Sequence, residues 1–223
     1  MAISAVRPRH AEARPRALAC PARGLPGSRL VTRAFVALGL DEPTRAAVAA
    51  EIEHLRPLSR AVAWVPSPNL HLTLKFLAEQ PDARLAEAVL GLEEAAAGRA
   101  PFALTLHGLG AFPGMERPRI LWVGVAEGAL EVRALQAEVE TALERRGFTR
   151  ESRPWHPHLT IGRVFDPRRW RRDAGPELRE SIARAAILGF GTLSVARLAL
   201  MRSDLRPSGA RYTELHSVSL KSL

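Results

Sequence analysis

Four residues, His71-Leu72-Thr73-Leu74, return 87 positions later as His158-Leu159-Thr160-Ile161, and this echo constrains the fold more than any other feature of the chain. The stretches around them, Asn69 to Leu77 and Trp155 to Val164, are rich in β-formers and too short for helices of their own, so both read as strands. Side chains on a strand alternate faces. His71 and Thr73 therefore share one face and Leu72 and Leu74 the other; His158 and Thr160 stand in the same relation to Leu159 and Ile161. Each copy is half core and half chemistry, with an imidazole and a hydroxyl side by side on a face anchored by aliphatic residues behind it. A lone His-x-Thr means little, whereas two copies in two good strands imply a chain built of two similar halves.

The rest of the chain fits around those strands. A strand is expected at Leu30 to Leu40, followed by a helix capped by Asp41 with Pro43 in its first turn and running from Thr44 to Leu55. Ala61 to Val65 reads as a short strand, Pro66 to Asn69 as a turn, and Leu70 to Leu77 as the first motif strand. A helix follows from Pro81 and Asp82 to Ala97, closed by Gly98. Phe102 to Gly108 is a strand, Gly110 to Pro118 a loop, Arg119 to Val125 a strand, and Leu130 to Arg146 a helix closed by Gly147. After the second motif strand, Arg168 to Ala183 reads as one basic helix. Thr192 to Arg202 and Arg211 to Val218 form the last two strands, joined by a turn at Arg206 to Gly209. Strands that come in adjacent pairs imply largely antiparallel sheets with helices packed outside, an α+β fold of two lobes. The two His-x-Thr strands then face each other across a central cleft in a pseudo-twofold duplication.

Composition narrows the function. With 47% hydrophobic and 25% charged residues the chain should fold on its own, and no apolar run approaches the roughly 18 residues of a membrane helix. The net charge of +9 is uneven: residues 1–29 hold six arginines against one acid, Glu12, so the body is only mildly basic, which suits an anionic ligand such as RNA or a nucleotide. Residues 1–29 read as a disordered Arg/Pro-rich extension, with a targeting peptide or an RNA-tethering arm as alternatives. The folded domain is expected over 30–223. The lone cysteine, Cys20, allows no disulfide framework or zinc–cysteine site within the chain and points to a reducing compartment. The expectation is a monomer in the cytoplasm.

Two histidines in one cleft can be held one neutral and one protonated, which is what paired general base and general acid catalysis requires, each worth roughly 10²–10⁴-fold. Threonine hydroxyls beside them can donate to anionic oxygens whose charge grows in the transition state. A phosphodiester, flanked in line by an attacking water and a leaving alkoxide, fits such a two-sided site. There is no Gly-rich phosphate loop, dinucleotide fingerprint or serine-hydrolase triad. The reaction implied is metal-free hydrolysis or transesterification of a phosphodiester.

At these residues the sequence resembles the two-histidine (2H) phosphoesterases, and more closely their LigT-like branch, the RNA 2′,3′-cyclic phosphodiesterases. The resemblance rests on RAFVALGL (33–40), WVPSPNLHLTLKFLAE (64–79), GLGAFPGMERPRILWVGV (108–125), RPWHPHLTIGRV (153–164) and LMRSDLRPSGARYTEL (200–215), and so spans nearly everything from Leu30 onward. It implies hydrolysis of a 2′,3′-cyclic phosphate end of RNA or a nucleotide to a 2′-phosphate, without metal or other cofactor. Carried over residue by residue, it makes His71 the proton donor to the leaving 3′ oxygen, His158 the proton acceptor that activates water, and Thr73 and Thr160 the holders of the non-bridging oxygens. The sequence alone leaves the two histidines free to exchange roles. Ligation to a 2′–5′ linkage, another cyclic phosphodiester, or a non-catalytic RNA-binding module are the rival readings.

Four further residues are candidates for substrate binding. Lys75 has the parity of His71 and Thr73 and reads as lining the cleft, with a solvated edge lysine as the alternative. Arg163 has the parity of Leu159 and Ile161 and points away from the site unless Gly162 marks a bulge. Tyr212 could stack on a base, and Trp155 could wall the cleft. His156 and His158 form a His-x-His pair, but no carboxylate cluster stands nearby and the family motif does not require His156, so no metal site is assigned. Arg168, Arg169, Arg171 and Arg172 read as a solvated helix face, with an RNA-backbone contact as the alternative.

Overall fold

The computed structural model describes residues 31–207 and 209–221. The expected N-terminal extension, residues 1–29, lies outside the described residues. Among the described residues nine strands and five α-helices follow one another in the order β1 (Val31–Gly39), α1 (Glu42–Leu55), β2 (Val62–Trp64), β3 (His71–Pro81), α2 (Asp82–Ala96), β4 (Phe102–Phe112), β5 (Ile120–Val125), α3 (Ala129–Arg145), β6 (His158–Val164), α4 (Pro167–Asp173), α5 (Pro176–Ala185), β7 (Gly189–Val195), β8 (Arg197–Arg206) and β9 (Gly209–Ser219). Local chemistry sets several boundaries. The Asp41 carboxylate accepts the Thr44 amide at 3.0 Å and starts α1, which buries Thr44, Val48, Ile52 and Leu55 at helical spacing. Asp166 caps α4 in the same way by accepting the amides of Arg168 and Arg169.

The strands form a single sheet in the order β7-β4-β5-β6-β3-β1-β8-β9, with β2 on the side of β6. Every strand pairing in it is antiparallel. The expectation of an α+β fold duplicated around a centre holds, but the two lobes share one sheet. Each half contributes four strands to the central run, with a motif strand innermost, and the halves meet where Leu72 pairs with Leu159. One face of the sheet carries the core. Leu72, Leu74, Leu159 and Ile161 sit there with Leu92 of α2 and Leu135 and Leu143 of α3, all essentially excluded from water. The opposite face holds the polar halves of the two motifs.

Several elements differ from the sequence expectation. β4 runs on to Phe112, so the first part of the loop expected at Gly110 to Pro118 is strand, with Gly110, Ala111 and Phe112 paired to Trp122, Leu121 and Ile120 of β5. The basic helix is two helices, because Ala174-Gly175-Pro176 interrupts it and Pro176 restarts the chain at the first turn of α5. The strand expected at Thr192 to Arg202 is also two. Ala196 and Arg197 are both exposed, which breaks the alternation, and β7 pairs with β4 in one half whereas β8 pairs with β1 and β9 in the other. Among the described residues no helix is long and apolar enough to cross a membrane.

Candidate active site

The two motif strands are copies of one another through the motif and the first bulge after it; β3 carries a further slip, at Leu77, that β6 lacks. His71 pairs with Gly39 on β1, Leu72 with Leu38 and Thr73 with Ala37. His158 pairs with Gly124 on β5, Leu159 with Val123 and Thr160 with Trp122. In both halves, then, the residue opposite the histidine is a glycine, and residues directly opposite in an antiparallel pair share a face. The partner strand therefore sets no side chain directly opposite either imidazole. In both halves the register then slips by one residue. Leu74 is passed over so that Lys75 pairs with Val36, and Ile161 is passed over so that Gly162 pairs with Leu121. These are β-bulges, and a bulge of one residue inverts the parity of everything after it.

The inversion decides the fate of three side chains. Arg163 comes onto the face of His158 and Thr160, where its side chain is exposed. Phe76, its counterpart in the first half, comes onto the face of His71 and Thr73 and is 64% exposed, a large apolar ring open to solvent beside the motif. Lys75 turns the other way. It does not line the cleft as its parity suggested. It lies in the core face at 5% exposure, with Nζ donating to Glu140 Oε2 at 2.6 Å and to the Thr149 carbonyl at 2.8 Å. Glu140 is held in turn by Gln136 Nε2 at 3.3 Å.

The four motif polar residues meet because their aliphatic neighbours do. Extending the antiparallel Leu72–Leu159 register by one residue either way sets His71 across from Thr160 and His158 across from Thr73, all on the face opposite the core. The two rings are oriented identically. His71 Nδ1–H donates to the Asn69 carbonyl at 2.7 Å and His158 Nδ1–H to the His156 carbonyl at 2.8 Å. A carbonyl can only accept, so each neutral ring carries its proton on Nδ1 and leaves the Nε2 lone pair for chemistry.

Aromatic rings surround each imidazole. Phe35 lies 4.8 Å from His71 and Tyr212 presents an edge to it at 5.1 Å, while Phe112 stands edge-on to His158 at 5.1 Å. Burial among these groups holds both histidine pKa values below the ordinary one; the carbonyl hydrogen bonds work against the shift, and the positive charge of Arg163 adds to it at both rings. One guanidinium therefore acts on both imidazoles. Among the described residues no carboxylate lies within ion-pair distance of Arg163, which leaves its charge for a ligand.

Trp155 is a brace and only secondarily a wall. Its indole N–H donates to the Thr73 carbonyl at 3.2 Å, and its own carbonyl accepts from Arg133 at 3.1 Å, so it ties the segment before the second motif to the first motif strand. Phe35, Phe112 and Phe76 are site residues that the sequence reading left out. Phe76 was within reach: aligning the two motif strands residue by residue transfers a bulge at Gly162 to Lys75. Phe35 and Phe112 carried no local signal, since their rings reach the histidines only through pairing of distant strands.

A duplicated α+β fold with two His–Thr pairs converging from its innermost strands defines the class of two-histidine phosphoesterases. The chain belongs to the 2′-5′ RNA ligase superfamily, whose family model matches residues 43–206. It is similar to the RNA 2′,3′-cyclic phosphodiesterase of Methanothermobacter thermautotrophicus, 34% identical over 183 residues that make up 82% of this chain and 96% of that one. The protein of the same description from Aquifex aeolicus is 33% identical over 82% of this chain and 94% of its own. Among solved structures, TT0787 of Thermus thermophilus aligns with a TM-score of 0.67 at 34% identity, covering 85% of this chain and 98% of that one. E. coli LigT shares the fold at a TM-score of 0.67 and 24% identity, over 86% of this chain.

Proposed function

We propose that this protein is an RNA 2′,3′-cyclic phosphodiesterase that opens the cyclic phosphate by acid–base catalysis between His71 and His158. Relatives of that description, about one-third identical over most of their length, support the activity. The observation that carries the mechanism is the Leu72–Leu159 pairing, which sets two imidazoles of matched tautomer and two hydroxyls on one face.

In this reading His158 Nε2 takes a proton from a water as its oxygen attacks phosphorus, and the bond from phosphorus to O3′ breaks in line. His71 Nε2–H gives its proton to O3′. The product carries a 2′-phosphate and a free 3′-hydroxyl, and the two histidines end with their protons exchanged, to be reset by solvent. Thr73, Thr160 and Arg163 hold the non-bridging oxygens, whose charge increases as the water adds. Phe76 and Tyr212 offer ring faces and edges to the nucleobase. The assignment of donor and acceptor follows the family resemblance. The same reading has the protein acting as a monomer in the cytoplasm, a compartment suited to a chain whose lone cysteine is Cys20.

Ligation is this same step with an RNA 5′-hydroxyl in the place of water, and the family model's description keeps it in view. The test is incubation with a panel of 2′,3′-cyclic nucleotides and RNA ends, with chelator present, followed by ³¹P NMR of the products. A 2′-phosphate formed despite the chelator is the expected result. A 3′-phosphate, a joined product when a 5′-hydroxyl RNA is added, or turnover abolished by chelator overturns the reading as stated.

A further inference from the structure

The site face of β6 does not end at Arg163. Two residues on, with the same parity, Phe165 is 62% exposed, its amide held by the Ala61 carbonyl so that the backbone beneath it is fixed. In the first half a second bulge, at Leu77, follows Phe76, so the register there departs from that of the second half. Beyond Phe165 the chain enters α4, a helix with four arginines. Its two flanking acids are engaged elsewhere: Asp166 accepts the capping amides and lies near the charges of Arg169 and Arg172, and Asp173 accepts the Arg60 amide at 3.0 Å. Arg168 and Arg171 are exposed and, among the described residues, have no carboxylate within ion-pair distance.

A solvated ring flanked by uncompensated guanidiniums, continuous with the phosphate-facing arginine of the site, is what a single nucleic-acid strand recognises: the ring takes a base and the charges track the backbone. We infer that Phe165, Arg168 and Arg171 form a second binding surface for the RNA that lies 5′ of the cyclic end, outside the reacting nucleotide. The inference rests on the cyclic phosphodiesterase reading for the position of that end. It makes the protein a reader of RNA chains, as opposed to an enzyme indifferent to whether its substrate is a mononucleotide.

The test compares a 2′,3′-cyclic mononucleotide with a short single-stranded RNA ending in the same cyclic phosphate, in the parent, in Phe165→Ala and in Arg168→Ala/Arg171→Ala. Binding of a fluorescent RNA with a stable 2′-phosphate end is followed in parallel by anisotropy, with thermal melting as the folding control. The expected result is a loss of about tenfold in kcat/KM and in affinity for the RNA, carried by KM, with mononucleotide turnover and melting unchanged. The double arginine variant should also flatten the dependence of log affinity on log salt, by about one unit per lost phosphate contact. Equal losses on both substrates, or no loss on the RNA, overturn the inference. If the parent hydrolyses neither substrate, it is the activity reading that fails, and the anisotropy arm still decides whether this surface binds RNA.

Discussion

Leu72 and Leu159 face each other across the register point that joins the two halves of the sheet, and this one aliphatic pair fixes the distance between two sets of polar side chains. Both leucines are essentially excluded from water, at 2% and 0% exposure. Their burial drives the pairing, and strand alternation then projects His71, Thr73, His158 and Thr160 together on the far face. The histidines are half-buried and take no part in the core, so each can be removed without unfolding the protein. His71→Ala and His158→Ala should each lower kcat by roughly 10²–10⁴-fold while leaving thermal melting close to that of the parent. Steady-state kinetics with a cyclic nucleotide, beside a melting curve, checks both parts. A variant that keeps its rate would remove that histidine from the chemistry.

Desolvation lowers both histidine pKa values, with Arg163 pushing in the same direction. The bell-shaped profile of kcat/KM should therefore be centred on the acid side of the ordinary histidine value of about 6.5. Stability should follow the same groups. A histidine whose folded pKa is depressed is protonated more readily in the unfolded chain, so its contribution is complete above about pH 6.5 and is lost as pH falls below that value. Denaturant midpoints measured from pH 8 to pH 5 should decline towards acid, and the decline should shrink when both histidines are replaced by glutamine.

Arg163→Ala removes a positive charge that disfavours protonation of both rings at once. Both histidine pKa values should rise in the variant, and the pH profile should move towards alkali. At its optimum, kcat/KM should fall because a phosphate ligand is gone. Arg163→Lys should keep the charge and restore the pH profile but recover only part of the rate, since an ammonium cannot make the bidentate contact of a guanidinium. Ring-proton NMR titration of His71 and His158 reads the shift directly. A rate loss with unmoved titration curves would place Arg163 away from the rings.

Much of this was legible in the sequence because the chemistry is repeated. The alternation of His71-Leu72-Thr73-Leu74 specifies both the core face and the site face, and its echo at His158 specifies the duplication. What alternation cannot report is a bulge. Counting alternate residues puts Lys75 on the site face and Arg163 away from it, and the single extra residue at Leu74 and at Ile161 reverses both. Tyr212 and Trp155 have partners 82 or more residues away in sequence, His71 for one and Thr73 for the other, so their contacts exist only through strand order. The split of the last long strand into β7 and β8 was hidden for a related reason: it depends on which half of the sheet each piece joins.

The buried pair beneath the first motif gives the sharpest test of the bulge. Lys75 and Glu140 have side-chain exposures of 3% and 6%, with Nζ and Oε2 2.6 Å apart. Removing one partner strands the other charge in the core, at a cost of about 3–5 kcal/mol for Lys75→Met or Glu140→Leu alone. Removing both together replaces an ion pair by apolar contacts, and Lys75→Met/Glu140→Leu should recover most of that loss. The second half supports this, since the equivalent of Lys75 is Gly162, whose bulge forms with no charge at all and with Val62 within 2.6 Å of where a Cβ would stand. The bulge is therefore dictated by strand pairing, and the ion pair only fills the space it creates. Chemical denaturation of the two single variants and the double gives the coupling energy. Activity in the double variant then tells whether Phe76 still reaches the site face: near-parental kcat/KM is expected, and an inactive but stable double variant would show that Lys75 itself holds the strand in register.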